Sequence, residues 1–500
     1  MFTFLRRAVC LLLVSIAGTA TADVVIDDWY VLSLMDAPAG WMNVMGDVQD
    51  DGQRRLKSET SMELKRGAME VSITVQVEWV ETSEGEPVSM TMRQDMSGQR
   101  VTTVWMFDGN ELEITTEQGG RRTTINAEVP EGTWYSTWAM VDEMKRRIKA
   151  GETEFSLHTM IPDHGIKLVK VTFRNIGTEP WEEDGMKSEV TLWEVTNDAI
   201  PFPSTQIFNA DLKMISNTMA APFGNMVFTF MDDQESVMDV LKVSTDMPEL
   251  MESFMVPVDR TIPGWKTARR ATFRLIPRNG DVPSLPSAGY QRVGTVAENG
   301  SLVIDVDLDA PSIASAEDQA NPDYLGTSIL IDPTDTAILE LAKASLKEAG
   351  DDPAKRADVL REAVFSWISR KDYGTVFASA SETVRNKTGD CSEHGVLLAA
   401  LLRSEGIPAR VASGAIYVPA GVISDEPGFG WHMWTQAIID GHWVDLDATL
   451  PMSYTVGHLL ADTSSLADDT GVSDQWNLLS MLGNLKVEVL SVDGASLQKP

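Results

Sequence analysis

Cysteine is almost missing from this chain: 500 residues contain two. Cys10 falls in an apolar N-terminal stretch that is predicted to be removed, which leaves Cys391 as the only thiol of the mature protein. A disulfide-stapled scaffold and a cysteine-rich zinc site are both excluded. Histidine is scarce too, with six residues, and His158, His164 and His458 stand without a partner cluster at metal-ligand spacing. No run of clustered oxygen ligands resembles a calcium loop. No metal and no cofactor is expected. Positive charge is in short supply, with 41 Lys and Arg against 74 Asp and Glu and a formal charge of −33. A surface of that sign repels nucleic acid and anionic lipid. A serine hydrolase is disfavoured by the lack of a G-x-S-x-G elbow ahead of a suitable helix. No internal repeat or low-complexity tract stands out.

Long apolar runs are equally rare, and the one near the start is short. Met1 to Arg7 ends in Arg6-Arg7, Ala8 to Ala20 is apolar, and Ala20-Thr21-Ala22 puts small residues at both specificity positions. This is the pattern of a secretory signal cleaved before Asp23. A retained anchor needs about 20 apolar residues. Cys10 lies inside the apolar stretch and not at its end, which argues against lipoprotein processing. The expectation is an exported protein, periplasmic or secreted, with no membrane insertion after cleavage near Ala22. Loss of Arg6 and Arg7 takes the formal charge from −33 to −35.

What is there centres on Thr388-Gly389-Asp390-Cys391-Ser392-Glu393-His394. Asp390 with Glu393 three residues on is a capping-box arrangement. The run Val396, Leu397, Leu398, Ala399, Leu401, Leu402 follows, and Gly406 and Pro408 end it. The pattern predicts a buried helix with Cys391 at its first position. Unpaired N–H groups and the macrodipole there favour thiolate over thiol, so alkylation well below the pH at which free cysteine reacts is expected. A lone cysteine is often only a small buried hydrophobe; a nucleophile also needs a base.

Asp440-Gly441 joins two alternating runs, His432–Ile439 and His442–Ala448, and predicts a two-residue hairpin. With Ile439 opposite His442, Trp434 lies opposite Asp447. One face then carries His432, Trp434, Gln436 and Ile438 with Trp443, Asp445, Asp447 and Thr449. Asp447 is the diagonal neighbour of His432, Asp445 lies one pair further off, and His442 points to the other face. The register selects His432 as base and Asp447 as the carboxylate that orients it. His394, one turn along the helix from Cys391, is read as structural. Trp431 and Trp434 flank the base and are candidate substrate contacts, and together with Trp443 could wall a channel.

Several of these stretches resemble a known family. Gly389-Asp390-Cys391, then Leu402 to Arg410 (Leu-Arg-Ser-Glu-Gly-Ile-Pro-Ala-Arg), then Trp431-His432-Met433-Trp434, then Trp443 to Thr449 resemble the transglutaminase-like branch of the papain-like cysteine enzymes. The resemblance covers roughly residues 320–490. It implies a Cys-His-Asp triad at Cys391, His432 and Asp447, and an enzyme acting on protein or peptide substrates. Ala448 stands where the family often has proline. Trp367, Tyr373 and Trp431 are the candidates for the group that assists the oxyanion in some members.

Residues 23–250 read as β-rich. Met69, Val71, Ile73, Val75, Val77 and Trp79 alternate with polar residues, and similar runs recur from Val101 to Phe230, separated by turns such as Asp108-Gly109-Asn110. Trp138, Val141, Met144 and Ile148 predict one amphipathic helix over Thr137–Ala150. A smaller β module is predicted over 257–312, helices from Thr336 with Asp352-Pro353 opening one of them, and a return of the tail, 479–492, to a sheet. The fold class is α+β: a papain-like, transglutaminase-like catalytic domain at 320–492 behind antiparallel β-rich domains. The function expected is thiol acyl transfer or hydrolysis on peptide or glutamine amide bonds, with transferase, deamidase and protease all open. The alternative is a catalytically silent scaffold or binding protein of the cell envelope.

Overall fold

The computed structural model describes residues 26–497 apart from 68, 184–185, 222–223, 245–246, 250, 252–253, 279–281, 372–376, 469–480 and 482–483. The leader, its cleavage site and Tyr373 lie outside the described residues.

Alternation of apolar and polar residues builds the first half of the chain. In Met69–Glu81 the side chains of Val71, Ile73, Val75, Val77 and Trp79 are buried, while those between them face outward. Fourteen such strands form one antiparallel sheet. Eight run in sequence from Ile26–Leu34 to Arg121–Glu128. The first strand pairs on its other side with Gly224–Met231, and the order then runs back to Glu154–Met160. The two edge strands are joined through the helix Thr137–Lys149. That helix touches Glu154–Met160 on one side and Arg54–Arg66 and Met69–Glu81 on the other, so the sheet curls around it. At Gly46 a side chain would press on Ile26 and on Trp138 of the helix, which shows how closely the helix lies against the sheet. No helix among the described residues is long and apolar enough to cross a membrane.

The small β segment forms a five-stranded sheet, in the order Gln291–Val293, Leu302–Asp307, Arg270–Pro277, Leu485–Val492, Ala495–Ser496. The tail strand thus returns to this sheet and not to the one that carries Gly428–Ile439. Phe273 packs edge-on against Phe429 of the core, with ring centroids 5.8 Å apart.

The core is a helix on an antiparallel sheet. Its strands lie in the order Ser312–Ile313, His442–Leu446, Gly428–Ile439, Ala409–Val418, His458–Ser464. Val256–Pro257 also pairs with Gly428–Ile439. The helix Cys391–Ser404 packs on the two central long strands and is surrounded by Thr336–Ser345, Pro353–Trp367 and Ala380–Asn386. Asp335 and Asp352 cap two of these helices by accepting from the N–H of Ala337 and Ala354. The fold is α+β, with a helix-on-sheet core behind antiparallel β-rich structure.

Candidate functional site

The Cys391 helix begins with the capping box anticipated from its residues. Asp390 Oδ1 accepts from the N–H of Ser392 at 2.9 Å, and Glu393 Oε2 accepts from the N–H of Asp390 at 2.9 Å. Every residue of the helix but Ser404 is buried, which is why the run is apolar on all sides. Cys391, at its first position, is a free thiol and only 7 % exposed. Its sulfur accepts from the backbone N–H of Met433, so the residue after His432 lies against it.

The hairpin has the register its Asp-Gly turn dictates. Asp440 and Gly441 both adopt positive φ, and Ile439 pairs with His442 and Gln436 with Asp445. The structure brings His432 and Asp447 together: Nε2 donates to Oδ2 at 2.8 Å. The other ring nitrogen, Nδ1, is left for a second partner. Trp434 stacks on the imidazole, with centroids 6.1 Å apart. Asp445 is engaged elsewhere, accepting from Trp434 Nε1 at 2.7 Å, Gln436 Nε2 at 2.8 Å and the N–H of Tyr290 at 2.9 Å. His442 lies at the strand end, its Nδ1 at 2.9 Å from Asp440 O.

One residue of the site escaped sequence reasoning. His458, expected to lack a partner cluster, places Nε2 at 3.2 Å from the same Asp447 oxygen. Tyr454 stacks on its ring at 4.1 Å, and Nδ1 meets Thr455 Oγ1 at 3.1 Å and Thr455 O at 3.0 Å. The strand of His458 is two places away from that of His432, with Ala409–Val418 between them. Gly414 in that middle strand pairs with His432, and a side chain on it would collide with Leu459 O and the Trp434 ring. The only local signal was a histidine at the head of the apolar run Leu459-Leu460-Ala461.

Burial alone would raise the Asp447 carboxyl, but the two imidazoles reverse this and hold it well below the usual carboxylate range. The N–H of Thr449 also donates to Oδ1 at 2.7 Å. Asp447 therefore stays ionised. Asp445, ringed by neutral donors, is raised by desolvation.

The thiol departs from expectation. Burial, and then the Asp390 carboxylate, push Cys391 well above its ordinary value, while Arg66 and the Met433 N–H pull it down. The helix terminus does not by itself outweigh a buried anion beside the sulfur, so low-pH reactivity is not what this environment produces. Arg66 comes from the large N-terminal sheet and reaches Asp390 Oδ2 at 2.7 Å. Asp390 is lowered by that guanidinium against the cost of burial, and Glu393 is raised by burial and by the Asp390 charge.

His394 is not a competing base. Lys371 Nζ donates to its Nε2 at 3.0 Å, and its Nδ1 donates to Asp390 O. Burial first and the Lys371 ammonium second hold its pKa down to about 4, so it is neutral.

The tryptophans divide. Trp434 is 1 % exposed with its N–H spent on Asp445, so it supports His432 and has no surface for a substrate. Trp443 is buried under Arg410 and Tyr324, with its N–H towards Asp318, and lines no channel at the site. Trp431 is half-buried, lies beneath Arg66 at 5.8 Å, and its indole N–H has no partner. Trp367 Nε1 donates to Val384 O at 2.8 Å and is not free for an oxyanion. Ligand atoms of His432, Asp447 and His458 lie within 4.8 Å of one another and could hold a metal ion.

No curated protein matches the sequence. Among solved structures, the chain is similar to a "beta-barrel-like protein" of a domain of unknown function from Brucella abortus, at 11% identity over 42% of this chain and 98% of that one, with a TM-score of 0.33. It is also similar to a "putative cysteine protease" from Cytophaga hutchinsonii at 15% identity, over 46% and 91%, with a TM-score of 0.28. A third is the periplasmic domain of TgpA from Pseudomonas aeruginosa, at 13% identity, over 39% and 82%, with a TM-score of 0.24. A family model does match one segment: residues 342–448 fit the transglutaminase-like superfamily. That segment holds the Cys391 helix, the His432 strand and Asp447, and residues 342–448 are accordingly a transglutaminase-like core.

Proposed function

We propose that this chain is an exported cysteine enzyme that transfers or hydrolyses acyl groups of peptide or glutamine amide bonds through Cys391, His432 and Asp447. One observation carries the reading: the Asp447–His432 hydrogen bond occupies Nε2, while the Cys391 sulfur lies against the backbone of the next residue, Met433. That arrangement leaves Nδ1 to take the thiol proton. Since burial keeps the resting thiol protonated, the nucleophile is made at the moment of attack by transfer of that proton to His432. Asp447, ionised throughout, stabilises the imidazolium that results. Sulfur then bonds to the amide carbon, and backbone N–H groups at the helix start receive the oxyanion. His432 returns its proton to the departing amine or ammonia, leaving a thioester that water or an amine resolves. His458 shares Asp447 and keeps its carboxylate turned toward both rings. Trp431, half-buried next to His432, is the substrate contact of the site. Hydrolysis is favoured over cross-linking, because nothing in the sequence marks a dedicated amine site. The exported location rests on the leader pattern and cleavage near Ala22.

The test is incubation of the mature protein with glutamine-containing peptides, with and without a primary amine, followed by mass. Shortened peptides identify a protease, a gain of about 1 Da a deamidase, and incorporated amine a transferase. Inactivity of the wild type across such panels, together with a thiol that labels only after unfolding, overturns the enzyme reading in favour of a scaffold.

A further inference from the structure

The large N-terminal sheet is the part of the molecule with no role so far, and it enters the site at one point. Arg66, at the end of the strand Arg54–Arg66, faces inward and is 8 % exposed. Its Nη1 donates to Asp390 Oδ2 at 2.7 Å, across 324 residues of sequence, and its guanidinium lies over Trp431 at 5.8 Å. Two further contacts fasten the sheet to the same neighbourhood. Gln118 Nε2 donates to Phe377 O at 2.7 Å, and the following N–H, that of Ala378, donates to Glu393 Oε1 at 2.9 Å. Arg121 reaches Ser328 O at 2.9 Å and Asp332 at 3.2 Å.

We propose that Arg66 is a positioning residue of the catalytic site, supplied by the N-terminal sheet, which neutralises Asp390 at the start of the Cys391 helix so that the thiol can give its proton to His432. This rests on the reading of Cys391 as the nucleophile. The reason is charge balance in a dry place. Asp390 must be present as a cap, since its Oδ1 holds the Ser392 N–H and Oγ at 2.9 and 2.8 Å. A bare carboxylate next to a forming thiolate opposes it, and a guanidinium on that carboxylate cancels the opposition. The other charged or titratable groups around the sulfur are Glu393 and His394 on its own helix, His432, Asp447 and His458 on the sheet side, and Lys371 from the segment before. Burial and the Asp390 charge push Glu393 up, burial and Lys371 hold His394 down to about 4, and the charge on Asp447 is shared between two imidazoles. Asp390 is thus the uncompensated anion nearest the thiol unless Arg66 is there. The β-rich half is then part of the catalytic unit and not only a presenting module.

The experiment is the rate of iodoacetamide alkylation of the full mature chain against pH, for wild type and four variants, with a thermal melt of each. Arg66→Met is expected to raise the midpoint by about one pH unit or more, and Arg66→Lys to restore most of it. Asp390→Asn, which keeps a capping side chain, should move the midpoint the other way, and the double variant should return near wild type. A purely structural role lowers the melting temperature in each single variant without opposite shifts of the midpoint. Midpoints that do not move, or that move together, overturn the proposal. If Arg66→Met does not fold, the direction of Asp390→Asn decides. A wild-type thiol that labels only on unfolding removes the nucleophile reading itself, and this proposal with it. A native thiol that labels with an Arg66-independent profile removes this proposal alone.

Discussion

Strand Met69–Glu81 of the large sheet and strand Ala409–Val418 of the core are both antiparallel and paired on both sides, yet water reaches only one of them. In the first, burial alternates residue by residue; in the second, all but one residue is buried. Polar residues of the large sheet find solvent at every second position. In the core they must find partners inside the protein, at a cost of a few kcal/mol each if they fail. Arg410 Nε therefore meets Gln436 Oε1 at 3.0 Å, Gln436 Nε2 meets Asp445 at 2.8 Å, and Thr435 Oγ1 meets Gly395 O at 3.0 Å. Buried polarity of this density is dear, and its concentration around His432 is what distinguishes a site from packing.

Asp447→Asn breaks the comparison most sharply. The substitution keeps shape but removes the charge shared by His432 and His458, and it is expected to cut turnover by roughly 10³–10⁴-fold, as loss of a triad carboxylate does. Steady-state rates on whichever amide substrate the mass assay identifies give the check. Turnover within tenfold of wild type refutes Asp447 as the orienting carboxylate.

Acid should find the core before it finds the sheet. His394 is neutral in the fold at about 4 against an ordinary 6.5. Between those values the unfolded chain binds the proton and the folded one does not, so stability falls as pH drops from about 6.5 to about 4. The shift is worth roughly 3 kcal/mol at its full extent. Denaturant midpoints across that window should slope in the wild type, and the slope should flatten in His394→Gln. An unchanged slope shows that another group carries it.

The smallest effect belongs to the helix Thr137–Lys149. Glu143, held down to about 2 first by its hydrogen bond to Arg146 and also by Arg147, is partly exposed beside those two arginines. Glu143→Gln should change stability by under about 1 kcal/mol and the change should vanish in high salt. A larger, salt-insensitive loss in a melt series makes this helix more like the core than its surface suggests.

Local rules carried most of what could be read in advance. A capping residue, its glutamate and an apolar run specify the Cys391 helix, and an Asp-Gly turn sets the register that delivers Asp447 to His432. Alternation found the strands with clean polarity, such as Met69–Glu81. It passed over Ile26–Leu34, where Tyr30, Val31 and Leu32 are all buried in succession. His458 and Arg66 were out of reach for a different reason. Which strand lies beside which is decided by the packed whole, and no residue near 66 or 458 announces a partner at 390 or 447. The Trp434 expectation failed similarly, because alternation puts it on the His432 face without saying that Tyr454 and Leu460 cover that face.

The small sheet has a consequence for the order in which the molecule is made. Its central strand, Arg270–Pro277, gains one neighbour about thirty residues later but waits for the other, Leu485–Val492, until nearly the whole chain has emerged. Until then one of its edges is bare, with Phe273 and Leu275 beside an open row of N–H and C=O groups, a template for pairing with another chain. A protease that clips the tail before Leu485 recreates that edge in the finished protein, so loss of the strand Leu485–Val492 should register as clumping of the cleaved product.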